Sequence, residues 1–208
     1  VYGAERRLQT VDHVVKTDGS AGVSFGPVED RRIHRVAVAI GSEDHFVPLE
    51  SRDFGRGFVH VFNAETFLIV MQELDTIGDL VQYLTDREHL LTTGLRGGLV
   101  GSEEDLLALY IKNTRSFASL LESNRHLTIL DGIWDGFKAS DEYRRRAEAN
   151  SESYAWDRLI EVLHDDHLND NMEFGGDLNS VDETTRVMAR ENRTERRALA
   201  RRFTDFMD

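Results

Sequence analysis

The chain has 208 residues and a mass of 23.7 kDa, which suits one domain or one domain with a small appendage. Apolar residues make up 40 % and charged residues 30 %, enough for a packed core, and 38 acids against 25 bases give −13, which excludes a globally basic nucleic-acid binder. There is no cysteine, so disulfides, thiolate zinc sites and cysteine nucleophiles are excluded; no apolar run approaches a membrane span and no signal-peptide pattern opens the chain, so a cytoplasmic protein without a membrane partner is expected.

The first third reads as β. Residues Val11–Lys16 form a short β-prone run, Asp18-Gly19 is a turn dipeptide, and Gly22–Phe25 pairs back as a hairpin. The clearest strand is Ile33–Ile40, with Val36, Val38 and Ile40 on one face and Arg35, Ala37 and Ala39 on the other. Gly41–Gly57 reads as a polar loop and Phe58–Phe62 as a compact strand. At Asn63, a good N-cap residue, the period changes from 2 to 3.6, and Phe67, Val70, Met71 and Leu74 follow helical spacing. Thr76-Ile77-Gly78-Asp79 has the capping-box form; it starts a second helix carrying Leu80, Leu84, His89 and Leu91 after a tight corner at Asp75-Thr76.

Thr92–Gly101 is a glycine-rich loop, and Ser102-Glu103-Glu104-Asp105 repeats the capping-box form before a helix through Leu106, Leu109 and Tyr110. Leu127–Leu130 reads as an isolated strand, and Ile133, Trp134 and Phe137 as an aromatic knot. Ser153–His167 reads as a helix burying Tyr154, Leu159, Ile160 and Leu163, Asn169–Ser180 as a loop, and Val181–Met207 as one long helix. Strands precede helices, so the expected fold is α+β: a small antiparallel N-terminal sheet packed against a mainly helical C-terminal part, ending in a long Arg-striped helix. The expected organisation is a single domain over 1–180, β-rich over 1–62 and helical over 63–180, with 181–208 as a C-terminal amphipathic helix.

That last helix is the most unusual element. Arg186, Arg190, Arg193, Arg197 and Arg201 fall within roughly 80° of one another on a helical projection. Met188, Leu199, Phe203 and Phe206 lie nearly opposite. Between Arg186 and Arg202 seven arginines face only Glu191 and Glu195, a surplus of +5 that leaves −18 on the rest of the chain. The row fits a solvated or internally paired face, a set of guanidinium forks for phosphate, or a docking element for another subunit or a further domain. The chain opens on Val1 and closes at Asp208 directly on an apolar helical pattern, which favours a piece of a longer protein.

Several strings resemble chemistry. Gly22-Val23-Ser24-Phe25-Gly26 matches G-x-S-x-G, but no apolar-periodic helix follows and Pro27 comes next, so a hairpin strand is preferred over a nucleophile elbow. The glycines of Gly94–Gly101 precede a helix, yet Glu103, Glu104 and Asp105 in its first turn would repel phosphate. Glu161, His164 and His167, with Asp165 and Asp170 nearby, form the best candidate set for a divalent metal, as one Glu-x-x-His unit without the second that a diiron bundle needs. Asp12, Asp18, Glu29, Asp30, Asp44 and Asp53 are carboxylates in the β region, as in Mg²⁺ nucleases. The region's only lysine, Lys16, has Val14 two residues before it and so lacks the Asp/Glu-x-Lys element; His60 alternates with Phe58 and Phe62 and reads as core.

The sequence thus favours a non-catalytic interaction or regulatory module with no cofactor. It docks through Arg186, Arg190, Arg193, Arg197 and Arg201 to a protein partner, a second copy of itself, or a nucleic acid. The alternative is a metal-dependent hydrolase acting on phosphodiesters, which requires the acids of the β region and the His164 cluster to converge.

Overall fold

Among the described residues, β structure is confined to the first 63 positions apart from a single bridge residue at Ile129. The computed structural model describes residues 1–15, 17, 19, 21–41, 51–94, 101–122, 129–169, 171 and 178–207. They form two units, Val1–Phe67 and Leu68–Asp208. None of their helices is long and apolar enough to cross a membrane.

The first unit opens with α1 (Tyr2–Leu8), a helix absent from the elements expected of the sequence. The expected hairpin is present as β1 (His13–Val15) and β2 (Ala21–Ser24). A separate sheet contains β3 (Arg35–Ala39), β4 (Arg52–Asp53) and β5 (Phe58–Asn63) in the order β3-β5-β4. This sheet is mixed rather than antiparallel: β3 runs parallel to β5 and β4 antiparallel to it. The cause is the connection. The 18 residues between β3 and β5 exceed the dozen or so that a parallel crossover needs. The antiparallel partner of β5 comes from the end of the segment expected to be all loop. Asp53 Oδ1 accepts from the N–H groups of Gly55 (2.7 Å) and Gly57 (2.9 Å), closing a turn between β4 and β5.

As the central strand, β5 buries Phe58, Val59, His60 and Phe62, so both of its faces are covered. On edge strand β3 the expected apolar face is largely open, and Ile40 just beyond it is 85 % exposed. Arg35 of β3 donates to both oxygens of Glu5 in α1 (2.7 and 2.5 Å), and that guanidinium holds the Glu5 carboxyl below its usual range. Gly57 permits this: its φ of 97° favours glycine, and a Cβ there would lie 2.5 Å from the Arg35 guanidinium.

The helix α2 (Ala64–Glu73) spans the boundary between the units, and its N-terminus is capped as expected, Asn63 Oδ1 accepting from Thr66 N–H at 2.7 Å. The second unit continues with α3 (Ile77–His89), which ends in a π-helical turn over Leu90–Gly94. Then come α4 (Glu103–Lys112), α5 (Ala118–Glu122), α6 (Ile133–Lys138), α7 (Asp141–Ser151), α8 (Tyr154–Leu168), α9 (Leu178–Arg190) and α10 (Arg193–Met207). Its buried apolar side chains include Val70, Leu74, Leu106, Leu107 and Ile129, each contributing about 1.5–3 kcal/mol by leaving water. Tyr83, Tyr110 and Phe117 form one aromatic group, with ring centroids 4.9–6.2 Å apart.

Polar ties bind these helices. Arg87 makes a bidentate pair with Glu103 (2.6 and 2.7 Å), which also accepts from the Tyr83 hydroxyl. Glu73 receives the Tyr143 hydroxyl and Arg146, joining α2 to α7. Buried Asp105 completes the capping box of α4 with Ser102 and accepts from Trp134 N–H at 2.8 Å, so one carboxylate caps the starts of α4 and α6. Burial acts to raise the Asp105 carboxyl, but the N–H groups of Trp134 and Ser102 outweigh it and hold the group below its usual range.

Several expectations are corrected here. Ile133, Trp134 and Phe137 lie in the regular helix α6 rather than an irregular knot, and Trp134 and Phe137 pack on Tyr143. Tyr154 is 50 % exposed instead of buried. Of the strand expected over Leu127–Leu130, Ile129 is a fully buried bridge residue, and 127 and 128 lie outside the described residues. The single helix expected over Val181–Met207 is two, α9 and α10, parted at Glu191 and Asn192.

Candidate functional site

The break between α9 and α10 is built from side chains that cap both ends. Asn192 Oδ1 accepts from the N–H groups of Thr194 (2.9 Å) and Glu195 (3.0 Å), and Glu195 Oε2 accepts from Asn192 N–H (2.9 Å). That reciprocal set satisfies the first donors of α10. At the other side Arg196 reaches back and donates to the carbonyls of Glu191 (2.9 Å) and Ala189 (2.7 Å), closing the C-terminus of α9.

Arg193 anchors the elbow. Its side chain is 3 % exposed; it donates to Asp75 (3.0 and 2.8 Å), Asp157 (2.5 Å) and Ser153 (2.9 Å), and its guanidinium lies 5.0 Å from the Tyr154 ring centre. Its backbone N–H donates to Asp79 Oδ2 (2.9 Å). Burial pulls the guanidinium pKa down, but Asp157 and Asp75 reverse this and raise it. Asp157 also takes Arg196 at 2.5 Å.

The arginine row therefore does not form one outward face. Arg186 pairs with Glu183 within α9, Arg190 is exposed at the end of α9, Arg193 is buried, Arg197 is half-buried on α10, and Arg201 pairs with Glu152 at 2.6 Å. The helix that was to present them changes direction between Arg190 and Arg193 because Asn192 and Arg193 serve the interior.

The outer part of α10 is different. From Arg201 to Phe206 every residue is exposed, including Phe203 (37 %) and Phe206 (87 %), which were expected to share an apolar face with Met188 and Leu199. This exposed length carries Arg201 and Arg202, with Arg197 one turn earlier.

Among the described residues, those of the metal reading are not assembled. Glu161 is paired with Arg158 at 2.5 Å, and His164 is exposed on α8. Among the described residues Glu161, His164 and His167 do not meet as a ligand set, and neither do Asp12, Asp53 and His60. Asp18, Asp44, Asp170, Lys16 and residues 95–100 of the glycine-rich loop lie outside the described residues. Ser24 sits in β2, its hydroxyl on the carbonyls of Asp12 (3.3 Å) and Phe25 (3.2 Å), so the G-x-S-x-G string is a hairpin strand and not a strand-to-helix elbow.

Beside the elbow is a cavity of about 300 Å³, walled by Asp79 and Gln82 of α3, Tyr110 of α4, Arg115 in the following turn, Arg190 and Asn192. Of these residues the sequence marks only Arg190 as a site residue. No family model, curated protein or solved structure matches the chain.

Proposed function

We propose that the protein is a non-catalytic interaction module whose contact element is the outer end of α10, docking on an acidic protein surface, and in the first instance on a second copy of this chain. The observation that carries this reading is the unbroken exposure of Arg201–Phe206 with two phenylalanines in it. Burying a Phe is worth about 1.5–3 kcal/mol, and aromatic and arginine side chains together are the composition of interface anchors. Charge supports the choice of occupant. α10 holds five arginines against Glu195 and Asp205, a surplus of +3 that leaves −16 on the rest of each chain. The helix end of one copy and the body of another attract, whereas a polyanion is repelled by that body.

Sedimentation velocity of the full chain at micromolar concentrations tests this. Wild type associates at low salt and less so at moderate salt; Arg201→Glu/Arg202→Glu and Phe203→Ser/Phe206→Ser each sediment as monomers with unchanged circular dichroism. A wild type that is monomeric throughout, or variants that associate as it does, would overturn the reading. Tight, steeply salt-dependent binding of a DNA or RNA oligonucleotide would replace the protein partner with a nucleic acid.

A further inference from the structure

We propose that the cavity beside the α9–α10 elbow binds a small organic anion through a carboxylate or phosphate group, held by Arg190 and Arg115 with the Tyr110 hydroxyl donating to one of its oxygens. At about 300 Å³ the cavity stands at the small end of the range for metabolite sites.

The signs of the charges select the ligand. Asp79, the one acid in the wall, is fully engaged: Oδ1 takes Arg115, and Oδ2 takes the Thr76 hydroxyl (2.8 Å) and Arg193 N–H (2.9 Å). It meets a ligand as a neutralised group. Arg190 is exposed, and no side-chain hydrogen bond or ion pair joins it to a described residue. Arg115 uses Nη1 on Asp79 and keeps the rest of its fork for a second oxygen. The cavity is therefore net positive, which disfavours a metal ion or an amine.

Tyr110 is the second, independent observation. It is wholly buried, it lines the cavity, and its hydroxyl has no hydrogen-bond partner. A buried hydroxyl left without a partner is costly, and an anion oxygen that reaches it as the covering side chains of the wall shift aside removes that cost. Burial first, then Asp86 and Asp79, raise the Tyr110 pKa far above its ordinary value, so the group remains a donor. The backbone is set to the same end. Thr114 (φ 56°) and Arg115 (φ 60°) are consecutive non-glycine residues in the left-handed region, a conformation kept only where the surroundings enforce it, and it turns Arg115 back onto α3.

The test is a thermal-shift and calorimetric titration of the full chain with sodium phosphate and, separately, sodium succinate, each against sodium chloride at matched ionic strength. A saturable stabilisation above that of chloride is expected from at least one; phosphate alone assigns a phosphate ligand and succinate alone a carboxylate. Arg190→Ala should keep the ligand-free Tm within about 1 °C and lose the response, since it removes an exposed side chain without a partner. Tyr110→Phe should fold and bind about tenfold more weakly. The proposal is overturned if neither anion stabilises beyond chloride, or if both variants titrate like wild type. The outer end of α10 plays no part, so Phe203→Ser/Phe206→Ser should leave this response intact whatever it does to association.

Discussion

Arg193→Ala separates an internal strut from a contact surface. Breaking a buried ion pair costs about 3–5 kcal/mol because the partner carboxylates are left without a counter-charge. Two features place Arg193 at the low end. The side chains of Asp75 and Asp157 are 28 % and 29 % exposed, so water screens them, and Asp157 retains Arg196. Loss of the Tyr154 contact adds a fraction of a kilocalorie, giving about 3 kcal/mol in all. For a domain of this size that is a fall in Tm of about 6–12 °C. Arg197→Ala, on the same sequence row but with no ion pair among the described residues, should stay within about 0.5 kcal/mol. Urea and thermal unfolding followed by far-ultraviolet circular dichroism read both. Equal losses in the two variants, or a negligible loss in Arg193→Ala, would refute the placement of Arg193 in the interior.

Asn192→Ala removes the cap of α10 and should cost about 1 kcal/mol by urea unfolding, with the helix content of the rest unchanged. Asp105→Asn should weaken both helix starts it serves by about 2 kcal/mol at neutral pH. The sign of the pH effect follows from its lowered native pKa. The unfolded chain takes up the proton first as pH falls, so the Asp105 contribution is complete above the ordinary carboxylate range and is lost from about pH 4 downward. Stability measured from neutral pH down through about pH 3 should therefore fall less steeply in the variant below about pH 4.

The parts of the fold legible in the sequence are those fixed by neighbours along the chain. The β1–β2 hairpin and the caps at Asn63, Thr76 and Ser102 are local hydrogen-bond events, and each is present. Parallel pairing of β3 with β5 is not local, since it depends on the path of the 18 residues between them. α7 carries no apolar period because its sequence is almost wholly polar; what fixes it are Tyr143 and Arg146 on Glu73, 70 and 73 positions away. The break in the last helix was readable. Asn192-Arg193-Thr194-Glu195 has a cap residue and a glutamate three positions later, the same form that marks Ser102, but the regular arginine spacing across it suggested continuity. The cavity left no linear signal, because its walls come from α3, α4 and the elbow and its orphan donor is a core tyrosine.

The capping event at Asn192 also decides what the arginines do. A continuous helix would have carried seven of them, from Arg186 to Arg202, along one rod, and the charge separation visible in the sequence would have become a surface property. Once the chain turns, Arg193 and Arg196 are drawn against Asp75 and Asp157, and Arg186 and Arg201 find Glu183 and Glu152. Of these seven, only Arg190, Arg197 and Arg202 then have no carboxylate partner among the described residues. They do not stay together: Arg190 ends α9 at the mouth of the cavity, while Arg197 and Arg202 continue along α10 toward Phe203 and Phe206. One polyanion-sized patch is thereby divided into a site for a single small anion and a basic, aromatic helix end. This division is why the two proposals can succeed or fail separately, and why neutralising the whole row at once would confound them.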